Sequence, residues 1–279
     1  MIREKYDDER RHVHILSYGG GTQSTAMLLM SLEGKIFNVK PDFVIFADTG
    51  WEPKYVYDYV DLIDGYIQSK YDKKIIRTTA GNIREDTISG IEKNERFASM
   101  PFYTKNNNGE MGMVRRQCTN EYKIQPVNRK IKELLGYSSR ERVKEVVHIW
   151  KGISIDEIQR VKPATLKWQI AEHPLVDLEI DRQYCIDYVK SLGLPKPQQS
   201  SCIGCPFHSD GLWREIKLND PESFEDAVKF DRAIRNQPRL DSKAYLHKSA
   251  KPLEQVDFNE DQLDFSDYFD NECTGFCGV

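Results

Sequence analysis

The strongest constraint on this chain lies near its start, where the apolar run His14-Ile15-Leu16 leads through Ser17 and Tyr18 into three consecutive glycines, Gly19-Gly20-Gly21. Thr22-Gln23-Ser24-Thr25 and a second apolar run, Ala26 to Met30, come next. A strand, a tight loop and a helix start fit this order. Glycines without Cβ atoms let backbone N–H groups approach a ligand closely, and the first N–H groups of a helix lack intrahelical acceptors. Such a loop is suited to an anion, with Thr22, Ser24 and Thr25 offering hydroxyls and the helix dipole adding positive potential. A plain glycine turn has the same local pattern, so the rest of the chain must decide.

Around this loop the chain alternates between strands and helices. Val13 to Tyr18 reads as a strand, Ser24 to about Leu32 as a helix, and Phe43 to Ala47 as a strand apolar enough to be covered on both faces. A helix from about Lys54 to Ser69 and a short strand, Ile75 to Thr78, come next. This is the order of a parallel α/β sheet with right-handed crossovers, which binds ligands at the carboxyl ends of its strands. Both the glycine loop and Asp48-Thr49-Gly50 fall there. From Asn82 to Met113 the pattern breaks down, around a turn at Lys105 to Gly109, and reads as a lid or a solvated insertion. Further expected elements are a helix from Ile124 to Leu135 with Pro126 in its first turn, a strand from Val146 to Trp150, and helices over Tyr184 to Leu192, Gly211 to Leu218 and Pro221 to Arg235.

The 279 residues carry 40 basic and 44 acidic side chains, so no global field attracts nucleic acid, although a local one can exist. Gly112 to Lys144 holds nine basic residues against three glutamates, either a face for RNA or DNA or a solvated surface. No apolar run approaches membrane-spanning length and the first residues are charged rather than signal-like, so a cytoplasmic protein without membrane contact is expected. From Leu253 to Glu272 the chain has eight acidic residues and no basic ones, with Phe258, Phe265, Tyr268 and Phe269 able to dock it onto the body.

Six cysteines are too few for a disulfide scaffold, and Cys202 and Cys205 form a Cys-x-x-Cys turn able to offer two thiolates to one metal or cluster. Cys118, after Arg115 and Arg116, is the natural third candidate because neighbouring positive charge favours the thiolate. His208 could complete a zinc site, three or four thiolates an iron–sulfur cluster, and the pair alone a redox dithiol. Cys185, inside an expected helix, reads as a buried core thiol.

In sequence order these stretches resemble the phosphoadenylyl-sulfate (PAPS) and adenylyl-sulfate reductases, a family of the PP-loop ATP-pyrophosphatase superfamily of adenine nucleotide alpha hydrolases. Gly20 to Ser24 resembles the G-G-x-D-S loop, Asp48-Thr49-Gly50 the D-T-G, and Cys118 to Pro126 the C-C-x-x-x-K-x-x-P segment. Gly152 to Glu157 is similar to G-x-R-x-D-Q/E, His173 to Asp177 to P-L-x-D, Cys202 to Cys205 to C-x-x-C, and Glu272-Cys273 to the E-C-G whose cysteine attacks sulfur.

The resemblance implies a Rossmann-like, HUP-type parallel sheet with helices on both faces, followed by a helical C-terminal segment and tail. It divides the chain into a nucleotide and cysteine-cluster domain, 1–210, and a helical segment with an acidic, cysteine-bearing tail, 211–279. Adenine nucleotide is implied at Ser17, Gly19, Gly20, Gly21, Thr22, Gln23, Ser24, Asp48, Thr49, Gly50, Gly152, Ser154 and Asp156, with a 4Fe–4S cluster at Cys118, Cys202 and Cys205 and zinc as the fallback. Three positions depart from the pattern: Thr119 replaces the second cysteine, Ser154 replaces an arginine that holds the anionic substrate, and the tail carries both Cys273 and Cys277. The departures favour ATP, with Mg2+, adenylylating an acceptor oxygen before sulfur transfer; Cys273 and Cys277 are the candidate catalytic thiols. Gln23 and Glu272-Cys273 favour the alternative, a sulfonucleotide reductase using adenylyl sulfate and a thiol reductant. A nucleotide-binding module with structural zinc is a third reading. The first reading implies a sulfur donor as partner, the second a thiol reductant.

Overall fold

The computed structural model describes residues 9–95, 100–197 and 199–258. The chain is α/β. Its centre is a five-stranded sheet of β1 (His12–Tyr18), β2 (Phe43–Asp48), β3 (Ile75–Thr79), β6 (Val146–Lys151) and β7 (Gln169–Glu172), in the order β3-β2-β1-β6-β7. Every pair in it is parallel, with Ile15 opposite Phe43 and Ile149. Strand order reverses on either side of β1, and at such a switch point parallel sheets bind ligands outside the carboxyl ends of their strands. The fold is Rossmann-like, with helices on both faces.

Alternation along β1 sorts the two layers. Leu16 and Tyr18 join Val44, Phe46 and Trp150 against α1 (Thr22–Leu32), α2 (Lys54–Tyr71) and α6 (Arg182–Ser191). Val13 and Ile15 join Ile45, Val147 and Ile149 against α4 (Gln125–Leu134) on the other face. All eleven residues of α1 are buried. A helix enclosed on all sides cannot show a strong amphipathic stripe: its middle, Ala26 to Met30, is continuously apolar, while its first turn buries Thr22, Gln23, Ser24 and Thr25 at the glycine loop.

The stretch expected to be irregular is more ordered than its sequence indicates. Asn82 accepts hydrogen bonds from Arg84 N and Glu85 N and thereby caps α3 (Ile83–Glu92). β4 (Tyr103–Lys105) and β5 (Met111–Met113) form a hairpin, and β8 (Lys243–Tyr245) pairs with β4 from far along the chain. With α7 (Asp210–Asn219) and α8 (Pro221–Ala233) these elements enclose a second core, where Trp51, Phe102, Trp213 and Phe230 are buried. Phe258 docks into it, edge-on to Phe224, while its carbonyl accepts from Arg214. The rest of the acidic tail, including Cys273 and Cys277, lies outside the described residues.

The remaining expected helices and strands are present with boundaries moved by a few residues. β7 and the four-residue helix α5 (Pro174–Asp177) are additions. Among the described residues, no helix is long and apolar enough to cross a membrane.

Candidate functional site

Four loops meet along the carboxyl edge of the sheet. After β1, Gly20 takes φ +74°, a left-handed conformation that glycine adopts without strain. Gly21 then starts α1 with extended backbone and open space on its side-chain side. No described side chain caps this helix, and its first turn contains no acidic residue. The orphan N–H groups and the positive end of the dipole therefore lie at the carboxyl edge of the sheet, beside the open space at Gly21.

Of the three hydroxyls expected to serve a phosphate, those of Ser24 and Thr25 help to build the loop. Ser24 Oγ accepts from Gly19 N at 3.2 Å and donates to the Gly21 carbonyl at 3.1 Å. Thr25 Oγ1, fully buried, donates to the same carbonyl at 2.8 Å and lies 3.1 Å from the Tyr18 hydroxyl. A buried hydroxyl satisfied twice has little to offer an anion. At Ser24 and Thr25, anion capacity therefore resides in the backbone.

Gln23 is turned the same way. Its amide donates to Glu157 Oε2 at 3.2 Å and to Ser154 Oγ at 3.4 Å, and Arg160 pairs with Glu157 at 2.7 Å. This buried cluster fixes the loop after β6 to the start of α1. Gly152 makes the approach possible, because a Cβ there would lie 2.7 Å from Ser24 N and 2.8 Å from Ser24 Cα. Asp156 accepts from Arg182 N at 3.2 Å, anchoring the same loop to α6. Lys151, buried at the end of β6 opposite Ser17, is a cation at this edge that has no signature in the sequence. There it is one more charged residue after an apolar strand.

The loop after β2 is likewise self-bonded. Asp48 Oδ1 accepts from Gly50 N at 2.7 Å and from the Tyr57 hydroxyl at 2.8 Å. Gly50 has φ +74°, and a Cβ on it would strike Asn82 Cα at 2.8 Å. Thr49 Oγ1 donates to Glu52 Oε1 at 2.9 Å and accepts from the Cys202 thiol at 3.2 Å. Glu52 is almost fully buried, with Lys123 3.9 Å from Oε1 and no described partner at Oε2.

A strap ties the glycine loop to the cysteines. Ser200 Oγ donates to the Gly19 carbonyl at 2.5 Å, and three residues later Ile203 N donates to the Trp51 carbonyl at 2.9 Å. Gly204 packs flat on the Trp51 ring, where a Cβ would come within 2.2 Å of ring carbon. The turn closes with Cys205 N donating to the Cys202 carbonyl at 3.0 Å.

Cys118, Cys202 and Cys205 all line one cavity, together with Thr49, Arg116 and Lys123. Cys118 opens a helical segment earlier than the sequence suggests, since residues 118–119 lead into a π turn, Asn120–Ile124, that runs into α4. Pro126 lacks an N–H, and the wider turn before it relieves the missing bond. In an α-helix positions five apart fall nearly on opposite sides, whereas i→i+5 winding brings Cys118 and Lys123 toward the same cavity.

His208, considered as a fourth zinc ligand, is directed elsewhere. It does not line the cavity; its Nε2 lies 2.8 Å from Ser201 Oγ and its ring meets Trp213 edge-on. Burial pushes its pKa down to about 3, so it is neutral. Cys185 is fully buried in α6, as expected of a core thiol, and burial raises its pKa to about 12.

No family model matches the chain, and no curated protein matches it. Among solved structures, the U34-tRNA thiolase NcsA from Methanococcus maripaludis with its 4Fe–4S cluster is similar at 15% identity and a TM-score of 0.36. The likeness covers 83% of this chain and 75% of that one. So loose a superposition says nothing about substrate or chemistry.

Proposed function

We propose that this chain is a PP-loop enzyme that adenylylates an acceptor oxygen with ATP, releases pyrophosphate and then replaces that oxygen with sulfur. One observation carries the reading: an uncapped helix start beside open space at Gly21 and a cavity with three thiols lie on one sheet edge, joined by the strap from Ser200 to Cys205. In the proposed reaction the acceptor oxygen attacks the α-phosphorus and the bond to pyrophosphate breaks. Backbone N–H groups from Gly20 to Gln23, with Lys151 nearby, stabilise charge on the departing phosphates, which bring Mg2+ with them. The nucleoside lies toward Asp48, Thr49 and Gly50. Sulfur then displaces AMP.

The cavity suits an iron–sulfur cluster because three thiolates would share it with two cations, Arg116 and Lys123, that offset their charge. Held by Cys118, Cys202 and Cys205, a 4Fe–4S cluster would supply an iron free of protein thiolate, able to carry sulfide. Thr49 can rotate to donate its hydroxyl to an ionised Cys202. In this division of labour residues 1–210 perform the chemistry and 211–279 buttress it, with Cys273 and Cys277 as candidate thiols for sulfur delivery.

For the acceptor we favour a nucleic acid. Arg115, Arg129, Arg140, Arg142 and Lys144 are exposed on the segment that runs from the cavity through α4, whereas Lys130 is paired with Glu133. The setting is taken to be cytoplasmic, where thiols stay reduced.

Anaerobic purification followed by iron analysis and an ATP assay tests the proposal. Bound iron, and pyrophosphate release stimulated by RNA or DNA, are expected. Sulfite release from adenylyl sulfate without pyrophosphate would instead establish a sulfonucleotide reductase with Cys273 as nucleophile. Tight zinc with neither activity would leave a nucleotide-binding module.

A further inference from the structure

The sheet carries a second cluster of metal-ligating side chains, which neither the glycine loop nor the cysteine cavity uses. His12 and His14 lie two apart on β1, His148 faces His14 across the β1–β6 pair, and Glu172 ends β7. His148 is fully buried. Its ring stacks on His14 with centroids 4.6 Å apart and on His12 at 5.1 Å. Its two nitrogens are directed at different partners, Nδ1 at Glu172 Oε1 at 2.7 Å and Nε2 at His12 Nδ1 at 2.8 Å.

One donor atom from each of His14, His148 and Glu172 lies within 4.8 Å of the others. Two imidazoles and a carboxylate are a donor set for zinc, at about 2.0–2.2 Å per bond; closing these three around one ion needs shifts of about an ångström and a turn of the half-buried His14 ring out of its stack on His148. The surroundings already do what outer partners do in such sites: with His148 Nδ1 as the ligating atom, Nε2 is held by His12 and the ring plane is fixed by stacking. From His14 to Tyr18 the strand advances roughly 13 Å, which sets the two histidines back from the glycine loop, while Glu172 is level with Leu16 and Trp150.

We infer that His14, His148 and Glu172 form a binding site for a divalent transition-metal ion, zinc by donor chemistry, with His12 as the residue that orients His148. The site ties together three strands from distant parts of the sequence. It would matter most for β7, a four-residue edge strand paired only with β6 among the described residues. A metal clamp at its last residue fixes the chain that enters α5 through His173.

Cobalt(II) added to the full-length protein distinguishes this site from the thiols, since cobalt–thiolate contacts give near-ultraviolet charge transfer and nitrogen–oxygen sites give only visible ligand-field bands. Visible bands without charge transfer are expected to persist in a Cys202→Ser/Cys205→Ser variant. Glu172→Gln and His14→Gln should each weaken that binding by about 100-fold or more. Zinc should raise the unfolding temperature of the wild type and the cysteine variant but not of Glu172→Gln or His14→Gln. His14 is only half-buried, so its variant serves if Glu172→Gln fails to fold. Absence of the thiolate-free bands, or equal cobalt affinity in wild type and His14→Gln, would overturn the inference.

Discussion

The glycine loop and the cysteine cavity are neighbours on one sheet edge, yet they hold their chemical capacity in opposite places. Around Gly19 to Thr25 the Ser24 and Thr25 hydroxyls are bonded to the loop's own backbone, leaving the N–H groups at the helix start to meet a ligand. Around Cys118, Cys202 and Cys205 the backbone is engaged in turns and helix, and the side chains face the cavity. The loop should accordingly tolerate loss of a hydroxyl better than gain of a methyl. In the cavity, a change of one side-chain atom should decide everything.

The sharpest test of that contrast is at the thiols. Cys118→Ser, Cys202→Ser and Cys205→Ser should each abolish iron binding, measured by metal analysis and absorption after anaerobic purification, with Cys185→Ser leaving iron in place. Iron retained in Cys118→Ser would remove the third ligand and reduce the cavity to a Cys202/Cys205 dithiol.

Next come the two glycines that permit close approach. In Gly204→Ala the new methyl would overlap the Trp51 ring, itself buried and held by a 2.7 Å hydrogen bond to Asp226. In Gly152→Ala it would meet the backbone of Ser24. Neither neighbour can yield easily, and each variant should lose about 3 kcal/mol or more in urea unfolding. Gly21→Ala has open space around its new methyl and should cost far less stability while obstructing the anion crevice. Equal stability losses at Gly21 and Gly152 would break the distinction between a ligand-facing and a packed glycine.

His208 gives the cysteine turn a pH dependence that the glycine loop lacks. Its folded pKa of about 3 lies below the ordinary 6.5 because burial disfavours the charged ring. Below pH 6.5 the unfolded chain binds a proton that the folded chain does not, so stability falls as the pH drops toward 3. The slope approaches about 1.4 kcal/mol per pH unit for this one group. Unfolding between pH 7 and 4.5 should show this component removed in His208→Gln.

The central layers were legible because each of their signals is local. Apolar runs in β1, β2 and β6 and the triple glycine announce a parallel sheet and its binding edge without knowledge of distant partners. What escaped depends on partners remote in sequence. β4 and β5 are three residues each and acquire their place only when β8 pairs with β4, some 140 residues on. α3 rests on one capping asparagine and a second core shared with α8. Candidate site residues divide the same way: Cys202 and Cys205 stand out by Cys-x-x-Cys spacing and Cys118 by its neighbouring arginines, whereas neither Lys151 nor the joining of Gln23 to Glu157 and Arg160 has a local signature. The resemblance implies a nucleotide contact for Gln23; its bonds to Ser154 and Glu157 follow only from β6 lying beside β1.

The smallest effect tests the loop most directly. Ser24→Ala removes the acceptor for Gly19 N and the donor to the Gly21 carbonyl, two bonds that shape the loop without closing it. Loss of about 1 kcal/mol in unfolding is expected, since partly buried neutral hydrogen bonds are worth that order. ATP affinity should fall by no more than a few-fold in equilibrium titration, because the backbone N–H groups remain. A loss of 100-fold with stability intact would make Ser24 Oγ a direct phosphate ligand that turns from Gly21 when nucleotide binds. The glycine loop would then resemble the cysteine cavity, with its capacity in side chains.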